Sequence, residues 1–141
     1  MMKMIPLGLF FLGMAYAGAA DVVVVSGERF RYDSLSADEI RLVYTGKRFR
    51  FGDEKIVLLN LEPENPMREW FEQNILHQRR DTLAKNWLQA HYLGHKPPKV
   101  FKSTESVAEF LTKVDNSIGY TDEATARKYH LKILYRMSDQ Q

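Results

Sequence analysis

The chain of 141 residues contains no cysteine, and this absence removes several kinds of chemistry at once. Without thiols the protein has no disulfide bond, no cysteine nucleophile and no thiolate metal site. A domain of this composition must be held together by its hydrophobic core, even in an oxidising compartment where disulfide bonds persist.

The sequence also lacks a large net charge of either sign. It has 20 basic and 18 acidic residues, and Lys3 is the only charged residue among the first 20. Without that segment the balance is 19 basic against 18 acidic residues. Proteins that bind nucleic acid usually present a strongly basic face, so we expect no nucleic-acid partner.

The longest apolar stretch lies in the amino-terminal segment, residues 1–20. Lys3 precedes an apolar stretch over residues 5–15, which is shorter than the roughly 20 residues that a membrane-spanning helix needs. Small residues follow, with Ala17, Ala19 and Ala20 as candidate cleavage positions. We expect residues 1–20 to be a cleaved signal peptide, with an uncleaved anchor as the alternative.

The remaining residues, 21–141, are then expected to form one exported domain in a bacterial periplasm without stable membrane insertion. Its first segment is a run of four valines, residues 22–25, which is typical of a strand buried on both faces. Ser36 and Glu39 form a capping box that predicts a helix start. Gly46 predicts the end of that short helix.

The next segment predicts a strand followed by a helix. Residues 55–61 form a nearly continuous apolar run, as in a central strand. Asn65 is a good N-cap, and Pro66 suits the first helical turn because its missing N–H would be unpaired there. Residues 81–93 predict a further helix, with an apolar face at helical spacing formed by Leu83, Ala84, Trp87 and Leu88, and Tyr92 as a further candidate.

Shorter elements complete the pattern, with a strand at residues 100–101 and a helix capped by Ser103. A buried strand around residues 118–120, a short helix over 123–128 and a last strand over 131–135 follow. Strands that alternate with helices predict an α/β fold with a single small sheet covered by helices on both faces.

Three segments in this order resemble one lobe of the periplasmic phosphate-binding proteins of ABC transporters, which have the type II periplasmic-binding-protein-like fold. The first segment is residues 35–47. The second is residues 55–71, which ends with Met67-Arg68-Glu69-Trp70-Phe71. The third is residues 118–122, which begins with Ile118-Gly119-Tyr120. The resemblance covers about residues 22–135. It implies a solute-binding-protein-like domain that is not an enzyme and needs no cofactor.

The resemblance also implies where phosphate would bind, and the expected residues are missing there. In the family, a basic and acidic pair and a Ser-Gly-Thr stretch open a helix whose hydroxyl and N–H groups hold the anion. Placing Phe71 on the family's helix phenylalanine puts Asn65, Pro66 and Met67 at that stretch. Pro66 has no N–H, Met67 has no hydroxyl, and Leu61 has no charge where the arginine would lie.

The missing hydrogen-bond donors would remove a large part of the free energy of phosphate binding. A hydrogen bond to a charged group contributes roughly 1.5–3 kcal/mol, whereas micromolar binding amounts to about 8 kcal/mol in total. The family's second lobe is also absent from this sequence, so we expect no clamp between lobes. What remains is a weak site for phosphate or another small anion at Asn65, Met67 and Arg68, unless Arg68 pairs with Glu64 or Glu72.

A second candidate surface is the basic and aromatic segment Lys47, Arg48, Phe49, Arg50 and Phe51. Exposed rings there would mark a site for another periplasmic or envelope protein, whereas buried rings would cover the edge of the core. Two functions stay open: anion capture, or an adaptor that binds another envelope protein without a ligand. No metal site is expected from His91 and His95, because Gly94 interrupts the helix between them.

Overall fold

The computed structural model describes residues 22–137, so the predicted signal peptide lies outside the described residues. Within that range, none of the helices has the length and apolar character needed to cross a bilayer. The elements in chain order are β1 (Val22–Ser26), α1 (Ala37–Tyr44), β2 (Arg50–Phe51), β3 (Glu54–Lys55), β4 (Val57–Leu61), α2 (Pro66–Phe71), a π-helical segment (Glu72–Leu76), α3 (Arg80–Tyr92), β5 (Lys99–Phe101), α4 (Thr104–Lys113), β6 (Ser117–Asp122), α5 (Glu123–Lys128) and β7 (Lys132–Arg136).

Five strands form one mixed sheet in the order β5-β4-β6-β1-β7. Strand β4 runs parallel to β5 and β6, whereas β1 is antiparallel to both β6 and β7. All five residues of β1 are buried, as the valine run predicts. Strands β2 and β3 form a separate hairpin. Apart from this hairpin, the predicted α/β fold with a single small sheet is confirmed.

Helices cover both faces of the sheet, and two neighbouring residues of β6 show this directly. The Tyr120 ring stacks on the Phe71 ring of α2, with centroids 4.0 Å apart. Gly119 points to the opposite face, where a Cβ atom would lie 2.9 Å from Val107 Cγ1 of α4. The glycine in Ile118-Gly119-Tyr120 is therefore required by the close approach of α4.

The helix starts follow the capping residues that the sequence predicts. Ser36 Oγ accepts the Glu39 N–H at 3.1 Å, and the Glu39 carboxylate accepts the Ser36 N–H at 2.9 Å. Ser103 caps α4, with Ser106 as its reciprocal partner. Each pair satisfies backbone donors that have no partner inside the helix.

The predicted apolar face of α3 is only partly correct. Leu83 and Ala90 are buried, but Ala84 is exposed, as are Leu88 at 54% and Tyr92 at 78%. Trp87 is partly buried, and its Nε1 donates to the Tyr44 carbonyl at 3.0 Å. This contact turns the side of α3 that carries Leu83 toward the core, so the neighbouring stripe of apolar residues faces outward.

Candidate functional site

The amino terminus of α2 has no free backbone donor for an anion. Asn65 Oδ1 accepts the N–H of Met67 at 2.9 Å, so the predicted N-cap is present. The N–H groups of Arg68 and Glu69 both point to the Asn65 carbonyl, at 3.0 and 3.4 Å. Pro66 has no N–H to offer. Asn65 therefore uses both its side chain and its carbonyl to satisfy this first turn.

Arg68 is held by protein groups on two sides. Its Nε donates to Glu72 Oε2 at 3.0 Å, and its Nη1 donates to the Leu61 carbonyl at 2.9 Å. The Arg68 side chain is only 16% exposed and that of Glu72 only 6%. The pairing with Glu72 that the sequence left open is present. It is nearly buried, so it does not have the low value of an exposed surface ion pair.

A second arginine, which the sequence-based reasoning missed, completes this cluster. Arg80 lies at the start of α3, and its Nη2 is 2.9 Å from Glu72 Oε1. Its Nη1 also donates to the Pro63 carbonyl at 2.8 Å. Two guanidinium groups thus share one carboxylate, and the cluster keeps one positive charge. Arg80, at 41% exposure, is the member that faces solvent most.

The side chains at the end of β4 are also engaged. The Tyr120 hydroxyl donates to Asn60 Oδ1 and accepts the Leu61 N–H at 3.2 Å. Burial raises the pKa of Tyr120, although hydrogen bonding to Leu61 works in the opposite direction. Burial likewise raises the pKa of Tyr44, whose hydroxyl donates to the Leu59 carbonyl at 2.7 Å. Both phenols are therefore neutral. The Tyr44 hydroxyl joins α1 to β4, and the Tyr120 hydroxyl joins β6 to the end of β4.

The basic segment 47–51 includes strand β2 of the β2–β3 hairpin. Its two phenylalanine rings lie in different environments. Phe51 is buried at 1% exposure and contacts Tyr32, with ring centroids 5.5 Å apart, so it covers the core edge. Phe49 is half-buried and stacks on His95, with centroids 3.5 Å apart. Lys47 and Arg50 are exposed. The segment thus presents cations outward and keeps its rings mostly inward.

His91 lies in α3, whereas His95 lies beyond its end, so the two side chains do not share a helix face. Gly94 has a φ of +90° and ends the helix region between His91 and His95, as expected. Across residues 22–137 there is no group of three His, Cys, Asp or Glu side chains that could hold a metal ion.

Two exposed apolar residues of α3, Leu88 and Tyr92, are ones that helical periodicity assigned to the core, and the exposed Leu93 follows them at the helix C-cap. We define the α3 stripe as Leu88, Tyr92 and Leu93, which are 54%, 78% and 76% exposed. Val100 on the edge strand β5 is also exposed. Clustered apolar side chains on a surface often mark a contact with another molecule.

No protein-family model and no curated protein sequence matches the chain. Solved structures match its fold. They include an ABC-type phosphate transport receptor from Vibrio cholerae, with a TM-score of 0.65, 15% identity and coverage of 85% of this chain and 49% of that one. A phosphate ABC transporter substrate-binding protein with bound phosphate from Clostridium perfringens has a TM-score of 0.65 at 17% identity, covering 81% and 44%.

A third match, PstS from Borrelia burgdorferi, has a TM-score of 0.62 and 14% identity, covering 81% of this chain and 46% of that one. The chain spans under half the length of these three structures. The predicted resemblance to one lobe of a phosphate ABC transporter substrate-binding protein is therefore confirmed at the level of fold.

Proposed function

We propose that this protein is an exported, non-enzymatic domain with the fold of a phosphate-binding lobe that no longer holds phosphate and instead binds another envelope protein. The observation that carries the proposal is the state of the α2 amino terminus. Its backbone donors are bonded to Asn65, and its arginine is paired with Glu72 and the Leu61 carbonyl. A phosphate ion arriving there would have to displace these partners.

Two surfaces support a role in protein contact. The α3 stripe exposes three large apolar side chains, of which Leu88 and Tyr92 are one helical turn apart. The basic segment offers Lys47 and Arg50 in the open, with Arg48 lying 4.5 Å from the Phe51 ring centroid. Protein interfaces favour such combinations of apolar and aromatic area with arginine. Phe51 supports this surface from the core side, whereas Phe49 is partly accessible.

In-cell photo-crosslinking tests the adaptor role. A photo-reactive amino acid is placed at Tyr92, at Arg50 or, as a control, at the exposed Lys113 of α4. We expect one discrete adduct of the same envelope protein from Tyr92 or Arg50 and none from Lys113. Adding Leu88→Asp should abolish the Tyr92 adduct. The absence of any adduct at both positions, or equal adducts at Lys113, would argue against the adaptor.

A second candidate function, weak capture of a small anion, is favoured by one observation. The Arg68–Glu72–Arg80 cluster keeps a positive charge, and a cavity of about 260 Å³ lies beside it with Asn60, Arg68 and Arg80 in its wall. If an anion binds here, Arg80 rather than Arg68 should be its main contact, because Arg80 is the more exposed. Sulfate binding that is lost in Arg80→Ala but kept in Arg79→Ala would support this function.

A further inference from the structure

A cavity of about 610 Å³ lies at the opposite end of β4 from α2. Its wall includes Ile56 just before β4, Val57 at the start of β4, Lys99 at the start of β5 and Asn116 just before β6. These three strands are parallel, so the cavity lies at their amino-terminal ends. Helix α2 follows the other end of β4, and the anion contacts Asn60, Arg68 and Arg80 considered above are not in this wall, although the two cavities share Trp87, Pro97 and Pro98.

The cavity wall is mainly apolar and partly rigid. It contains Val43, Phe49, Ile56, Trp87, Pro97 and Pro98. The Phe49 ring is fixed by His95 on one side and by Trp87, whose centroid is 6.1 Å away. A volume of this size and a mostly hydrophobic, aromatic lining are typical of sites for small organic ligands.

The cavity wall also contains four cations and no acidic residue. They are Arg48, Lys55, Lys96 and Lys99. Nowhere in residues 22–137 does any of the three lysines form an ion pair with a carboxylate. The wall residue His95 adds a buried Nδ1 atom that has no hydrogen-bond partner among the described residues. The wall therefore combines positive charge and an unpaired polar atom with apolar surface.

From this combination we infer that the cavity binds a small amphipathic organic anion, with one carboxylate on a hydrocarbon or aryl body. The apolar body would cover Ile56 and Trp87, and the carboxylate would face the lysines. Inorganic phosphate does not fit, because an apolar wall cannot replace the water that it loses. A peptide is disfavoured, because Pro97 and Pro98 have no N–H to pair with its backbone.

Calorimetric titration with hexanoate, octanoate and decanoate below their micellar range tests the inference on the processed protein. Burying one methylene increases affinity about three- to fourfold, so octanoate should bind on the order of tenfold tighter than hexanoate. Octanol, which has the same body without the charge, should bind severalfold more weakly than octanoate. Octanoate binding should also weaken as salt is added.

A pair of double variants separates this cavity from general charge effects. Lys55→Glu with Lys99→Glu reverses two exposed wall charges and should weaken octanoate binding on the order of tenfold. Lys85→Glu with Lys113→Glu makes the same net charge change elsewhere and should leave binding unchanged. Circular dichroism would confirm that both variants fold. No saturable octanoate binding, equal binding of octanol, or equal weakening in the two double variants would overturn the inference.

Discussion

Arg68 and Glu72 lie one helical turn apart and pair through Nε and Oε2 at 3.0 Å, with both side chains nearly buried. Arg68 of this pair lies in the first turn of α2, where the resemblance to phosphate-binding lobes predicts an anion site. Its burial means that the charge of Arg68 already has a partner inside the protein. The arginine is therefore a structural group that joins α2, the π-helical segment and the end of β4.

Removing Arg68 should destabilise the fold. A buried charge left without any partner costs about 3–5 kcal/mol of unfolding free energy. Arg68→Ala leaves Glu72 with Arg80 as a partner, so the loss should lie below that range but above the roughly 0–1 kcal/mol of an exposed ion pair. Urea denaturation measures this loss. Arg79→Ala is the matched control, because the ion pair of Arg79 with Asp81 is exposed to solvent. This variant should change the urea midpoint little. Equal small shifts in both variants would show that Arg68 has no structural role.

The contact between β6 and α4 should not tolerate a side chain at Gly119. Gly119→Ala places a Cβ atom 2.9 Å from Val107 Cγ1 and 3.3 Å from Leu59 Cβ. Overpacking of this kind costs about 1–3 kcal/mol. Val107→Ala makes room, so the double variant should lose less stability than the sum of the single variants. Strict additivity would contradict the proposed collision.

Stability should fall in acid partly through Glu123. Hydrogen bonds from Arg136 and Arg127 lower the pKa of Glu123 from 4.5 to about 2 in the folded protein. A carboxylate with a lowered folded pKa stabilises the protein above its unfolded pKa, and this contribution is lost as the pH falls from 4.5 toward 2. Urea midpoints at neutral and acid pH should therefore differ less in Glu123→Gln than in the unmodified protein. An identical acid response would exclude this role.

Export should remove the first residues of the chain. Expression of the full sequence in a bacterium should yield a periplasmic product whose mass corresponds to a start at Gly18, Ala20 or Asp21. Leu9→Arg interrupts the apolar segment that the export machinery recognises, so this variant should stay uncleaved in the cytoplasm. An intact amino terminus on membrane-bound protein would instead indicate an anchor.

Local signals predicted the starts of several elements, because capping depends on residues close together in sequence. Ser36, Asn65 and Ser103 all cap helices where the sequence indicated. The exposed stripe of α3 was not predictable in this way. Helical periodicity placed Leu83 and Leu88 on one apolar face of α3. The contact of Trp87 with the Tyr44 carbonyl turns the side of α3 with Leu83 toward the core and leaves Leu88 exposed.

At the candidate site, too, some features could be predicted from local sequence and others depended on tertiary contacts. Asn65, Pro66 and Met67 could be judged from residue type alone, because a missing N–H or hydroxyl is visible in the sequence. The role of Arg80 could not. A π-helical segment followed by His77 in a left-handed conformation, with a φ of 54°, brings Arg80 back to Glu72. Neither feature has a sequence signal strong enough to place an arginine on a carboxylate eight residues earlier.

The most direct test of the central claim is calorimetric titration of the processed protein with phosphate at low salt. If Asn65 and Glu72 already occupy the donors at α2, millimolar phosphate should give no saturable heat. Saturable one-to-one binding at micromolar concentration that disappears in a folded Arg68→Ala variant would contradict the claim.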